Sequence, residues 1–205
     1  TMVAEANMLL VAHPSLPANN VAELVALAKQ KPNSIAIAMS PIGTPNHLGA
    51  ELLAQRAGID LTFVLYPGIG PAMPDLLAGR TQIAISAMSS MYPHVAAGTL
   101  KALAVTRPVR SPFAPDIPTV AESGIPGFDV NAWVCLMATG GTPAPIVARL
   151  NAEVRKMMEL PEVKESFANQ GLEASTMSPD ELGLYIKNES EKWSHVLKNA
   201  KVKKQ

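Results

Sequence analysis

The sequence is poor in the residues that build several kinds of functional site. It has 205 residues, a single cysteine, 4% aromatic residues, and 17 basic against 17 acidic side chains. Cys135 alone can form neither an internal disulfide nor a cysteine-based zinc site. Balanced charge and few aromatic rings argue against binding to nucleic acid or to an acidic membrane surface. No apolar run is long enough to cross a bilayer.

What the chain has is a regular alternation of short apolar runs and helical patterns, within 48% hydrophobic residues. This alternation predicts an α/β fold with a mainly parallel sheet, whose ligands lie beyond the carboxyl ends of the strands. The predicted strands are 8–12, 35–39, 61–66, 82–86 and 101–106, and the predicted helices are 21–30, 45–57, 72–77 and 92–97.

The C-terminal region has a different balance of elements. It is predicted to contain one strand, 130–137, and three helices, 145–160, 162–169 and 179–199. One strand is too few to make a sheet, so these helices need a further partner. We therefore interpret residues 7–130 as one complete α/β lobe, and residues 131–205 as a crossover and the C-terminal helices of a second, incomplete lobe.

The most informative segment is residues 40–47, which read Ser-Pro-Ile-Gly-Thr-Pro-Asn-His between a strand and a helix. A helix start leaves backbone N–H groups without partners, and its dipole favours an anion there. Thr44 as N-cap and Pro45 as first helical residue also suit helix initiation alone. A second loop, 86–90, follows a predicted parallel strand, so the two loops are expected at one edge of the sheet.

Other candidate chemistry is weaker. The four histidines show no metal-ligand spacing, and His47, one turn into a helix, is expected to face the core. The serines near position 86 lack the G-x-S-x-G elbow of a hydrolase, and Asp75 is expected to face solvent on a short helix. The sequence therefore predicts no catalytic residue, no metal site and no cofactor.

Several motifs together resemble one family. They are Gly43-Thr44-x-x-His47-Leu48 and the segments 98–106, 115–124, 141–147 and 150–153, in order from about residue 7 to about residue 200. They are similar to those of the extracytoplasmic solute receptors of the tripartite tricarboxylate transporters, the Bug-type receptors. The resemblance implies a periplasmic binding protein type II-like fold and a non-enzymatic receptor.

The resemblance also implies a ligand and a site. Such a receptor captures a small carboxylate, a di- or tricarboxylate or related organic acid, in a cleft between lobes and delivers it to membrane permease subunits. Its location is implied to be periplasmic, although residues 1–4 do not form a signal-peptide pattern. Backbone amides and hydroxyls hold the carboxylate, which carries over here to these residues: Ser40, Gly43, Thr44, Tyr66, Ser86 and Ala87.

The chain departs from the family pattern at several positions. Pro41 stands where a glycine is usual, and Ser86 stands where an aspartate is common. Loss of that acid favours a more anionic ligand. Family members also carry a segment before the point matching Met8, with an export signal and a Pro-Gly-Gly loop, so we expect this chain to be a fragment or truncated form.

Two alternatives remain open. A truncated chain whose site is incomplete would be a structural or interaction module, and its exposed helix faces would favour a homodimer. An α/β enzyme acting on a small carboxylate would need a nucleophile–base pair, which the sequence does not show.

Overall fold

A computed structural model of the chain describes residues 1–200, which form two compact units. The larger unit contains residues 7–131 with 195–200, and the smaller unit contains residues 1–6 with 132–194. The last five residues of the predicted second lobe lie outside the described part. The interpretation of 131–205 as an incomplete lobe stays a prediction.

The secondary structure alternates as the sequence predicts. The strands are β1 Met2–Ala6, β2 Met8–Ala12, β3 Ala36–Met39, β4 Thr62–Leu65, β5 Ile83–Ala87, β6 Lys101–Val105, β7 Ala132–Cys135 and β8 Leu172–Ala174. The helices are α1 Val21–Gln30, α2 Pro45–Ala57, α3 Ile69–Leu77, α4 Met88–Ala96, α5 Ala144–Met158, α6 Pro161–Asn169 and α7 Pro179–Lys198. Within residues 1–200, none of these helices has both the length and the apolar character to span a membrane.

The larger unit contains a five-stranded sheet in the order β4-β3-β5-β2-β6. Strand β3 is parallel to both β4 and β5, whereas β2 is antiparallel to both β5 and β6. Four strands therefore share one direction and β2 alone is reversed. The predicted α/β class is confirmed, and the sheet is mixed, with two parallel and two antiparallel pairs of strands. The reversal of β2 was not predicted, because an apolar run indicates a strand without indicating its direction.

Helices cover both faces of this sheet, so its central strands are buried on both sides. All five residues of β2 are buried. On one face Leu9 and Val11 pack in a cluster with Leu76 of α3 and Met91 of α4. On the other face α2 approaches β5 closely, because a Cβ at Gly49 would lie 3.3 Å from the Ile85 side chain.

The smaller unit has a sheet of its own. It is antiparallel, in the order β7-β1-β8. The C-terminal region forms no sheet by itself, as expected, because β7 and β8 each pair with β1 from the first residues of the chain. Neither β1 nor β8 was predicted, and β8 has only three residues, too short for a visible pattern. Helix α7 begins with a capping box, in which Glu181 N–H donates to Ser178 Oγ at 3.2 Å and Ser178 N–H donates to Glu181 Oε2 at 2.8 Å.

Helix α4 begins earlier than predicted. The sequence places a loop at 86–90 and a helix from 92, whereas β5 continues to Ala87 and α4 starts at Met88. Two serines and a methionine form the first turn in place of a loop. The second predicted binding loop is therefore a direct strand-to-helix junction.

The buried position of Leu10 in β2 predicts a large cost of truncation. Leu10 is fully buried, and Leu10→Ala should lower the free energy of unfolding of the larger unit by about 2–5 kcal/mol. Hydrogen exchange of the β2 and β5 amides is the right measurement, because Trp133 and Trp193 both lie in the smaller unit and their fluorescence reports on that unit.

Leu65→Ala is the matched control, since Leu65 lies in the same unit and is 55% exposed. It should cost less than about 0.5 kcal/mol. Equal effects of the two substitutions would contradict the assigned core.

Candidate functional site

The carboxyl ends of β3, β4 and β5 lie at one edge of the larger sheet, because these strands are parallel neighbours. Helix α4 begins directly after β5, and α2 and α3 begin after the short segments 40–44 and 66–68. The first turns of these three helices, all inside the described range, contain no aspartate or glutamate. Helix α1 follows the reversed strand β2 and has Glu23 in its first turn. We call this edge the strand-end edge, and its helix starts favour an anion.

The first loop at this edge is a tight turn closed by Thr44. Thr44 N–H donates to Pro41 O at 3.1 Å, and Gly43 has φ +88°, the left-handed value that a type II turn needs at its third position. The Thr44 hydroxyl donates to Pro41 O at 2.7 Å and accepts the His47 N–H at 3.4 Å. Thr44 is therefore the N-cap of α2, as predicted.

His47 reaches back to this turn. Its Nδ1 accepts the Gly43 N–H at 3.2 Å, and its Nε2 lies 3.8 Å from Glu51 Oε1 one helical turn later. Both side chains are fully buried. Burial lowers the pKa of His47 below its ordinary value, while the nearby Glu51 carboxylate opposes that shift. The Gly43 amide was predicted to bind the ligand, but in this structure its N–H donates to His47.

The second strand end lies beside the first. Ser86 is buried at the end of β5, and Ala87 is the N-cap residue of α4. Asn46 Nδ2, in the first turn of α2, donates to Ile85 O at 2.8 Å. This bond ties the start of α2 to the end of β5, so both predicted binding segments meet at the strand-end edge.

Tyr66 follows β4 at the same edge. Its backbone N–H donates to Met39 O at 3.0 Å, next to Ser40. Its hydroxyl donates to Asp75 Oδ2 at 2.6 Å, and Arg80 Nε donates to Asp75 Oδ1 at 2.7 Å. Burial and Asp75 raise the pKa of the Tyr66 phenol, and hydrogen bonds from Tyr66 and Arg80 lower the pKa of Asp75. Asp75 thus has two partners, whereas the sequence analysis placed it in solvent.

Sequence reasoning missed several residues of this edge. Asn46 and Glu51 were given no role, and His47, although part of the family motif, was expected only to face the core. One signal was available: His47 occupies the third helical position, where the glutamate or glutamine of a capping box stands. The Thr106 hydroxyl, just after β6, donates to Met8 O at the start of β2. The next residue, Arg107, is half-buried and therefore adds a cation near the same edge.

The smaller unit contains an apolar cavity of about 460 Å³. Its apolar lining comes mainly from the segment after β7, from α5 and from α7, and includes these residues: Leu136, Met137, Val147, Leu150, Val154, Leu182 and Ile186. Helix α5 also exposes Ile146 and buries only Met158. Across the described residues, no group of three or more histidine, cysteine, aspartate or glutamate side chains is placed to hold a metal ion.

The α/β fold is that of the periplasmic binding proteins. The chain belongs to the tripartite tricarboxylate transporter family receptors, whose family model matches residues 1–202. This confirms the resemblance found in the sequence. The family is one of receptors, which also confirms the expectation that the chain is not an enzyme.

Similar proteins support this membership. Protein BugT of Bordetella pertussis is 33% identical over 203 residues, which cover 99% of this chain and 62% of BugT. A solved structure from R. palustris with adipate is 32% identical, covers 96% of this chain and 66% of that chain, and has a TM-score of 0.83. MatC from Rhodopseudomonas palustris with bound malate is 29% identical, covers 95% of this chain and 68% of that chain, and has a TM-score of 0.76.

The matches leave part of each relative uncovered. The chain spans 53% to 62% of the length of three curated relatives that it matches. Family membership therefore describes the fold and the kind of protein, and the six predicted site residues stay a prediction at this point.

The Tyr66–Asp75 pair predicts a measurable ionisation. Asp75→Asn removes the negative charge that opposes loss of the phenol proton, so the pKa of Tyr66 should fall towards its ordinary value. Ultraviolet titration of the three tyrosines measures this shift, and Tyr66→Phe assigns the signal. An unchanged Tyr66 titration in Asp75→Asn would contradict the pairing.

Proposed function

We propose that this chain forms the ligand-binding part of a periplasmic receptor that binds a small dicarboxylate at the strand-end edge. In this proposal the receptor delivers its ligand to the membrane components of a tripartite tricarboxylate transporter. The observation that carries the proposal is the gathering of three helix starts without acidic side chains at the edge where Ser40 and Ser86 lie.

Each predicted site residue has a role in this proposal. The hydroxyls of Ser40 and Ser86 donate hydrogen bonds to carboxylate oxygens, and the amide of Ala87 adds a backbone donor. Gly43 and Thr44 shape the turn beside the ligand, because the Gly43 N–H is bonded to His47 and the Thr44 hydroxyl to Pro41 O. Neutral donors suit a carboxylate because they satisfy its oxygens without demanding an ion pair. Tyr66 contributes its ring to the wall of the site, since its hydroxyl is already bonded to Asp75.

The ligand class follows from charge and from the relatives. Ser86 and the three first turns add no negative charge at the edge, and the Asp75 carboxylate beside Tyr66 is paired with Arg80. This balance favours a ligand with two carboxylates. Similar proteins have been solved with adipate and with malate, both of which are dicarboxylates. We propose a ligand of this class for the present chain.

Titration calorimetry with adipate and malate tests the proposal. Adipamide, which has the length of adipate but no charge, is titrated separately as the control. We expect saturable binding of at least one dicarboxylate, none of adipamide, and recovery of the ligand chemically unchanged. Absence of binding to every dicarboxylate tried, or conversion of the ligand, would count against a receptor.

The turn at Gly43 predicts a specific loss of affinity. Gly43→Ala places a side chain at φ +88°, which strains the turn by about 1–2 kcal/mol, and should weaken dicarboxylate binding about tenfold or more. Isothermal titration of the variant against wild type measures this change.

Gly58→Ala is the matched control. Gly58 lies at the other end of α2 with φ +60°, and neither glycine has an atom within 4 Å of an added Cβ. Both substitutions should therefore destabilise the protein to a similar extent, but Gly58→Ala should leave affinity unchanged. Equal losses of affinity would place the ligand away from the first loop.

A second candidate function is association with another polypeptide. The apolar cavity of the smaller unit and the exposed apolar side chains of α5 favour it. Native mass spectrometry separates the two candidates, because a bound dicarboxylate supports the receptor and an empty dimer supports the interaction module.

A further inference from the structure

We propose that His47 is a positioning residue that holds the first loop in its anion-binding form through a charge-neutral version of the capping box. This inference deepens the proposed function and rests on it. It is carried by the geometry of four residues: Gly43, Thr44, His47 and Glu51.

The arrangement is reciprocal. Thr44 Oγ1 accepts the backbone N–H of His47, and the side chain of His47 accepts the backbone N–H of Gly43. In an ordinary capping box the residue at this third helical position is glutamate or glutamine. Here an imidazole nitrogen replaces the side-chain oxygen and reaches one residue further back, to the glycine of the turn.

The chemical form of the ring follows from its hydrogen bond. Nδ1 accepts the Gly43 N–H, so Nδ1 is unprotonated and the ring proton of neutral His47 lies on Nε2. Nε2 lies 3.8 Å from Glu51 Oε1, beyond hydrogen-bond distance but close enough for electrostatic attraction. Glu51 is one helical turn away and equally buried, so its carboxylate favours the tautomer that leaves Nδ1 free to accept.

A neutral cap matters for an anion site. A glutamate at position 47 would make the same reciprocal cap but would place a negative charge against the positive end of α2. A neutral imidazole closes the turn without adding a negative charge of its own to that end. His47 thereby fixes the shape of the loop without repelling the carboxylate that the loop is proposed to bind.

The first test is made on wild-type protein and needs no ligand. Long-range ¹H–¹⁵N correlation spectra report which ring nitrogen carries the proton. We expect neutral His47 with the proton on Nε2 at neutral pH. A proton on Nδ1 would overturn the proposal, because a protonated Nδ1 cannot accept from Gly43.

The second test compares two substitutions at the same position. His47→Asn keeps an acceptor oxygen near the place of Nδ1, whereas His47→Leu removes it. Hydrogen exchange of the Gly43 amide should be slow in wild type, nearly as slow in the asparagine variant and at least about tenfold faster in the leucine variant. Adipate affinity should fall about tenfold in the leucine variant and be largely restored in the asparagine variant.

A control separates positioning from general loss of stability. Leu53 is fully buried in the same helix, so Leu53→Ala should destabilise the unit while leaving both Gly43 exchange and affinity close to wild type. Equal affinity in wild type and His47→Leu would overturn the proposal.

The failure of this inference can be told from failure of the proposed function. If wild type binds no dicarboxylate, the receptor proposal fails. The tautomer of His47 and the exchange rates of the Gly43 amide still show whether His47 accepts the Gly43 N–H. If wild type binds and His47→Leu binds equally well, only the inference about His47 fails.

Discussion

The parallel pairing of β3 with β5 is the constraint on which the candidate site depends. Ile37 and Ala38 pair with Ile83 and Ala84, which fixes where both strands end. Because the strands run in the same direction, the turn before α2 and the start of α4 must lie side by side. The hydrogen bond from Asn46 to Ile85 then sets the distance between them. This pairing places the turn before α2 and the start of α4, about forty residues apart in the chain, at the same edge of the sheet.

Much of the larger unit could be predicted from the sequence, because its elements have strong local signals. Helix α2 has a threonine N-cap, a proline at its first position and a left-handed glycine at its end, and its predicted bounds are those observed. Directions and short strands could not be predicted. The reversal of β2 and the existence of the three-residue β8 are set by tertiary pairing, which leaves no periodic trace in the sequence.

The location of the candidate site could be predicted from the sequence, but only some of its hydrogen bonds could. The loop before α2 and the end of β5 were predicted as neighbours, because strand ends in a parallel sheet share an edge. The bonds of His47 to Gly43 and of Tyr66 to Asp75 were missed, because they depend on how far a side chain reaches across a turn or between elements. Spacing along the chain can predict that two side chains lie near each other. Which of their atoms form a hydrogen bond depends on burial and orientation, which only the folded structure shows.

The exposed apolar side of α5 has a consequence for every solution measurement on this chain. Ile146 and Leu150 are each about half exposed, at 51% and 49%, beside the apolar cavity. If this surface pairs with a second copy of the chain, as in the second candidate function, the melting temperature and the observed affinity depend on protein concentration. The melting temperature across a dilution series therefore reads out directly whether the apolar side of α5 is covered in solution.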